Sequence, residues 1–182
     1  MRQTTRFALF LALLAAALLP ACAQVVPSAT GSRAKLVVGA FASAGQPDYA
    51  GGNTASPSPS YLYGMGGFVD YRLSRWVQLE AEGRMLNWNQ YLNINESSYS
   101  IGLREPIRTF GRITPYGKAL AGIGGGSFLT GHAGMYTLGG GVDYRLNKRF
   151  NVRAFDFEYQ QWKVTPTLHP YVASVGLSYR IF

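Results

Sequence analysis

The chain has 182 residues, a formal net charge of +8, and charged side chains at only 14% of its positions. Soluble domains normally carry about 25% charged residues, so this composition argues against an ordinary soluble exterior. The one cysteine, Cys22, lies inside an N-terminal leader. The exported chain is therefore expected to contain no disulfide framework, no catalytic thiol and no thiolate metal site.

The first 23 residues have the pattern of a secretory signal peptide. Arg2 and Arg6 precede an uncharged apolar run at 7–19, and small residues follow at 21–23. This order predicts export by the general secretory route, with cleavage before Gln24. The apolar run is too short for a membrane-spanning helix, which needs about 17–25 residues.

A second interpretation of the leader stays open. Residues 19–22 approximate a lipobox, in which Cys22 would be lipidated and become the new N-terminus. Cleavage before Gln24 removes two arginines and no acid, so the formal charge falls from +8 to +6. The predicted organisation is a signal peptide at 1–23, a short segment at 24–33 and a single domain at 34–182.

Eight β-strands are predicted in this domain. Clusters of Gly, Pro, Asn and Ser separate segments of alternating apolar and polar residues. Each segment is near the ~9–11 residues that a tilted membrane strand requires. The predicted strands are 34–44, 61–73, 77–88, 96–109, 113–128, 133–146, 150–162 and 170–182.

The connections between these strands alternate in length. Short turns are predicted at 74–75, 110–112 and 147–149, and longer connections at 45–60, 89–95, 127–133 and 163–169. Short turns at one rim and longer loops at the other are typical of transmembrane barrels.

One hairpin pattern occurs twice. The sequence Val-Asp-Tyr-Arg-Leu begins at Val69 and again at Val142, before two of the short turns. Its apolar residues fall on one face of a strand and its charges on the other. In strand seven the phase of this alternation changes, which predicts a β-bulge near Ala154–Phe155. Strand five is so rich in alanine and glycine that its facing stays open.

Aromatic residues gather near both predicted rims, where transmembrane barrels carry interfacial girdles. The residues near the short turns are Tyr71, Trp76, Phe110, Tyr144, Phe150 and Tyr179. Those near the loops are Tyr61, Trp88, Tyr91, Phe128, Tyr136, Trp162 and Tyr171.

With these features the sequence resembles the small outer-membrane β-barrel family of Gram-negative bacteria, which includes the OmpA-like and OmpX-like eight-stranded barrels. The leader, the paired hairpins, Pro115-Tyr116-Gly117 and the closing Gly176 to Phe182 carry the resemblance. It implies an all-β fold, an eight-stranded antiparallel up-and-down transmembrane barrel in the cell outer membrane. It also implies a monomer with a structural or surface-interaction role, without catalysis, cofactor or metal.

The resemblance further implies partners and an interior. The barrel-assembly machinery would read the C-terminal strand through Tyr179, Ile181 and Phe182, although Phe182 is out of phase with the other two. Outer-membrane lipid and lipopolysaccharide are the expected surroundings, and nucleic acid is not expected. An eight-stranded lumen is just wide enough for side chains to fill it. The polar residues expected to pair there are Asp70, Arg72, Gln78, Glu80, Glu82, Arg84, Arg104, Asp143, Arg145, Asp156 and Glu158.

Two other functions are alternatives to this one. A lipid A-modifying enzyme would need a histidine together with a serine and an acid. His132 and His169 lie in predicted loops, and neither has a serine at the spacing that lipid A deacylases show. A soluble lipocalin-like binder of an apolar ligand would invert the faces. Its interior would contain Val69, Tyr71, Leu79, Val142 and Tyr144.

Overall fold

In a computed structural model, residues 35–46, 61–88, 95–127, 129–165 and 167–181 are described. They form eight strands: β1 (Leu36–Gln46), β2 (Leu62–Arg72), β3 (Gln78–Trp88), β4 (Glu96–Pro106), β5 (Ile113–Gly126), β6 (Ala133–Arg145), β7 (Phe150–Trp162) and β8 (Tyr171–Arg180). The predicted strands are thereby confirmed, with bounds within three residues of the predicted ones. The predicted leader, the segment at 24–33, and Tyr91, Phe128 and Phe182 lie outside the described residues.

The strands form one closed antiparallel barrel in chain order. Each strand pairs with the next, and β1 pairs with β8 to complete the ring. Closure leaves no strand edge with unpaired backbone groups, which is the condition that a sheet must meet inside lipid. In the part of the chain that the structure describes, no helix is long and apolar enough to cross a membrane.

The alternating strands point their charged residues inward. Asp70 of β2 and Glu80 of β3 are 3% and 0% exposed. Val69 and Tyr71, which flank Asp70 in the chain, are 42% and 45% exposed. Along β3, buried and more accessible residues alternate as predicted. The lipocalin-like arrangement is therefore wrong for this chain, because Val69 and Tyr71 lie on the outside of the barrel.

The predicted bulge in β7 is confirmed. Phe155 pairs with Val142 on β6, while Arg153 pairs with the next residue, Asp143, so Ala154 has no partner there. The same shift separates the pairings of Arg153 and Asp156 with β8. Because Ala154 and Phe155 are both exposed, the buried residues on the two sides of the bulge stay on the inner face.

The structure also settles the facing of β5. Tyr116, Lys118 and Leu120 are buried, while Ala119 and Ala121 are exposed. Lys118 stands opposite Arg104 of β4 in the sheet. The pairing with β4 therefore brings a lysine into the interior from a strand whose own composition does not reveal its inner face.

Trp162 corrects the prediction of the loop-side girdle. Its side chain is 1% exposed and packs in an apolar cluster with Ala133 and Met135. The indole N–H donates to Oε1 of Gln160 at 3.0 Å. Trp162 follows the inward phase of β7, which also buries Glu158 and Gln160, so it closes over the loop end of the interior instead of facing lipid.

Candidate functional site

The described interior carries a network of ionisable side chains in the middle of the barrel. Its cations come from β3, β4, β5 and β7, and its carboxylates from β2, β3, β6 and β7. The cations are Arg84, Arg104, Lys118 and Arg153, and the carboxylates are Asp70, Glu80, Glu82, Asp143, Asp156 and Glu158. Every one of these side chains is at most 4% exposed except Asp143, at 19%.

Lys118 lies at the centre of the network. Its ammonium group donates to Asp156 Oδ2 and Glu158 Oε1, both at 2.6 Å, and to Glu82 Oε2 at 3.1 Å. Glu80 Oε1 lies 3.2 Å away. One side chain from β5 therefore reaches carboxylates on β3 and β7 and uses all three of its N–H donors.

Arg84 makes a second connection across the interior. Its Nη1 and Nη2 donate to the two carboxylate oxygens of Glu158 at 2.7 and 2.8 Å, which makes a bidentate ion pair. Nη2 also donates to Glu82 at 2.6 Å. Bidentate ion pairs are both stronger and more directional than single charge-assisted hydrogen bonds, so Arg84 links β3 to β7 strongly.

Arg153 and Arg104 connect the half of the network nearer the short turns. Arg153 donates to Glu80 at 2.8 Å, and its guanidinium lies 3.6 Å from the centre of the Phe68 ring. Arg104 donates to Asp143 at 2.6 Å and lies 3.7 Å from the Tyr116 ring centre. Ring faces on β2 and β5 thus contact the two guanidinium groups in cation–π interactions.

Six carboxylates face four cations in this network. Glu82, Asp156 and Glu158 each offer an oxygen within 4.8 Å of the others, a spacing that could hold a metal ion. The Lys118 ammonium already contacts all three carboxylates. This acidic group therefore binds a cation that the chain itself supplies, and the network has no cation in excess.

The structure brings together most of the predicted interior residues. Eight of the charged ones belong to the network: Asp70, Glu80, Glu82, Arg84, Arg104, Asp143, Asp156 and Glu158. Gln78 joins them by accepting a hydrogen bond from Arg104 at 2.7 Å. Arg72 is half-buried near the short-turn end of β2.

Arg145 departs from the prediction. It is the last residue of β6, it is exposed, and it donates to the carbonyl oxygen of Gly111 at 3.0 Å. Its inward phase alone does not bury it, because the strand ends before the side chain can enter the interior.

The sequence pattern did not assign two residues of the network, Lys118 and Arg153, to the interior. Lys118 lies in a strand of small residues that shows no facing. Arg153 precedes the bulge, where the change of phase obscures the inner face. A usable signal for Arg153 was its spacing from Asn151, since both alternate with the apolar residues Phe150 and Val152.

The remaining predicted residues lie away from the network. Tyr179 and Ile181 are half-buried at the end of the chain, where the amide of Ile181 donates to the carbonyl of Leu36 at 2.9 Å. His132 is exposed, and His169 stacks on Tyr159, with its Nδ1 2.5 Å from the tyrosine hydroxyl.

Comparison with known proteins agrees with this architecture. The profile of the family described as "Outer membrane protein beta-barrel domain" matches residues 9–180. The crystal structure of Neisserial surface protein A is 14% identical, covers 80% of this chain and 97% of that one, and has a TM-score of 0.65. Ail, the attachment invasion locus protein of Yersinia pestis, is 14% identical over 79% and 95%, with a TM-score of 0.50. At these identities the likeness shows the fold alone, and no curated protein sequence matches.

Proposed function

The chain belongs to the outer membrane protein beta-barrel family, and from this premise we propose that it is a monomeric barrel with a structural or surface-interaction role, a closed polar lumen and no catalytic activity. Its location is the cell outer membrane. The interior contacts support the closed lumen, and the connections at the loop rim are where a surface role would reside.

The observation that carries the proposal is the crossing of the interior by paired charges. Arg84 on β3 holds Glu158 on β7 at 2.7 and 2.8 Å, and Lys118 on β5 contacts carboxylates on both strands. An eight-stranded barrel has room for about such a filling of side chains and little more. A continuous aqueous path is not expected through it.

Conductance across planar lipid bilayers tests the closed lumen. We expect the mature protein to give no discrete current steps. Replacing Arg84 and Glu158 together by alanine removes a charge-balanced pair and opens space in the interior, so this variant is expected to conduct.

A Lys163→Ala variant, altered at the loop rim, serves as the control and should stay silent. Steps of equal size in the unaltered protein and in the double variant would refute a lumen closed by this pair. Heat-dependent gel mobility of each protein verifies that it is folded.

The absence of catalysis has its own test. Mass spectra of lipid A from cells with and without the protein are expected to be identical. A mass change that disappears in His132→Ala or His169→Ala would establish a lipid-modifying enzyme instead.

We also propose that residues 1–23 are removed during export. N-terminal sequencing of the mature protein should begin at Gln24. A blocked, lipid-modified N-terminus at Cys22 would establish the lipoprotein alternative.

A further inference from the structure

The basic residues outside the interior are concentrated at one rim of the barrel. The three short turns and the adjoining strand ends carry six exposed basic residues: Arg75, Arg108, Arg112, Arg145, Lys148 and Arg149. The exposed acid nearest to them in the sheet is Glu105, at the end of β4. The short-turn rim, defined here by these basic residues and the turns that carry them, therefore has a strong positive charge.

The opposite rim has no comparable charge. Lys163 is the one lysine or arginine among the described residues of the loop rim, and it donates to the hydroxyl of Tyr136 at 3.1 Å. The loop residues beyond the described ranges add one charged residue, Asp48. The net positive charge of the exterior thus belongs almost wholly to the short-turn rim.

Each short turn also places an exposed aromatic residue one or two positions after a basic one. The pairs are Arg75 with Trp76, Arg108 with Phe110, and Arg149 with Phe150. In the first two turns the guanidinium lies over the ring, at 5.3 and 5.6 Å from its centre. In the third turn Arg149 approaches the hydroxyl of Tyr179 at 3.4 Å.

An exposed aliphatic residue precedes the basic one in every turn. Leu73, Ile107 and Leu146 are 56%, 61% and 47% exposed. Turns surrounded by water would gain nothing from each exposing such a side chain directly after a strand. The repeated order of aliphatic, basic and aromatic residues instead matches a boundary at which apolar groups enter the membrane and cations reach its charged surface.

The position of this rim in the membrane identifies the charged surface. In bacterial outer-membrane barrels the short turns lie on the periplasmic side, so the short-turn rim lies among the headgroups of the inner leaflet. Guanidinium groups bind phosphate through two parallel hydrogen bonds, and basic residues near a membrane attract its anionic lipids.

We propose that the short-turn rim binds the phosphate groups of anionic phospholipids in the periplasmic leaflet of the outer membrane. Lipopolysaccharide, named above among the expected surroundings, is also anionic, but the loop rim carries too few cations to favour the outer leaflet. A soluble polyanion would match the charge of the rim but would leave its exposed aliphatic and aromatic side chains without a partner.

Trp76 provides a built-in reporter for this site. In a Trp88→Phe variant refolded into vesicles, Trp76 is the membrane-exposed tryptophan near the short-turn rim, while Trp162 stays buried inside the barrel. Quenching by brominated phosphatidylglycerol is compared with quenching by brominated phosphatidylcholine. We expect phosphatidylglycerol to be enriched about five-fold at Trp76, from the attraction that each basic residue exerts near a charged membrane. In 1 M salt, where the screening length is about 3 Å, the enrichment should be lost.

Matched variants separate the basic residues from the rest of the rim. Replacing Arg75, Arg108, Arg112 and Arg149 by glutamine should abolish the enrichment, and Arg108→Gln with Arg112→Gln should reduce it without altering the neighbour of the reporter. Lys163→Gln should leave it unchanged. In the converse Trp76→Phe variant, Trp88 reports on the loop rim and should show no preference.

Three results would overturn the proposal. The first is equal quenching by both lipids at Trp76, and the second is an equal preference at Trp88. The third is binding of the protein to isolated peptidoglycan that depends on the same arginines while no lipid preference is seen. Heat-dependent gel mobility establishes in each case that the variant is a folded barrel.

Discussion

Lys118 is the residue on which the interior charge balance depends most directly. Its ammonium group contacts four carboxylates, of Glu80, Glu82, Asp156 and Glu158, and its side chain is 0% exposed. Lys118 is the one cation common to all four acids, so its loss leaves the cost of their desolvation in place and removes a large part of the attraction that offsets it.

Replacing Lys118 by methionine keeps the length of the side chain but removes its charge. We expect the free energy of unfolding to fall by about 3–5 kcal/mol, the usual effect of breaking a buried ion pair from one side. Urea titration of the barrel in lipid, followed by tryptophan fluorescence, measures this change.

Lys163→Met is the matched control for this prediction. Lys163 is exposed at the loop rim, so its replacement should change the free energy of unfolding by less than about 1 kcal/mol. Similar losses in the two variants would mean that Lys118 is not the centre of the network.

Two glycines of β5 differ in the space around them. A methyl group at Gly124 would lie within 2.7 Å of three ring carbons of the buried Trp162, whereas one at Gly117 would meet nothing within 4 Å. Gly124→Ala is expected to destabilise the barrel by about 1–3 kcal/mol, because the indole must move in a packed site. Gly117→Ala should be neutral or slightly stabilising, since alanine loses less conformational freedom on folding. Parallel urea titrations compare the two, and an equal effect would show that the Trp162 packing is loose.

At the scale of the element, β7 depends on a single inserted residue. The bulge at Ala154 lets Arg153 and Asp156 both point inward although three positions separate them. If the same residues paired as a regular strand without a bulge, one half of the strand would present its inner side chains to lipid.

Deletion of Ala154 and Phe155 together should therefore prevent formation of the folded barrel. Arg153 and Asp156 would become adjacent, so either the segment before the deletion, with Arg153, or the segment after it, with Asp156 and Glu158, would face lipid. An arginine on the lipid face costs about 2–4 kcal/mol at the middle of a bilayer. We expect the unboiled band of the double-deletion variant to run with the boiled one on a gel. Deletion of Ala154 alone removes the bulge but keeps Arg153 and Asp156 on the inner face, two positions apart, so it should retain the mobility difference; a double-deletion variant that folds like it would contradict this account.

At the scale of the whole molecule, closure is what makes the fold possible in a membrane. Eight strands pair in order, and the pairing of β1 with β8 uses the last two edges. No strand edge with unpaired backbone donors and acceptors is therefore exposed to lipid or detergent.

The closed barrel should resist SDS until it is heated. The mature chain, refolded in detergent micelles, is expected to run ahead of its boiled form on a gel. A single band of unchanged mobility before and after boiling would show that the refolded chain had not closed. The comparison also serves as the folding control for each variant above.

Much of this architecture follows from local patterns. A period of two in the polarity of a strand assigns its faces wherever the two faces differ, as in β2 and β3. A change of phase within one strand requires an extra residue, which is why the bulge at Ala154 was predictable. The interior acids were likewise visible, because each stands among apolar neighbours.

Three residues show where such patterns end. Lys118 lies among alanines and glycines that present no contrast between faces, so only its pairing with Arg104 on β4 assigns it to the interior. The position of Trp162 near a loop suggests a girdle residue, but the inward phase of β7 buries its side chain at the loop end of the interior. Arg145 shares the inward phase of Asp143, yet it lies beyond the depth at which a side chain is covered.

By itself, the sequence determined the number of strands, their order and which face of most of them is charged, because these depend on neighbours two to ten residues apart. Only the tertiary structure decided which charges meet. Lys118 and Glu82 are brought within 3.1 Å from strands that are not neighbours in the sheet, and Arg84 and Glu158 lie 74 positions apart in the chain. Such contacts depend on closure of the ring and on the register of eight strands together, which no single segment specifies.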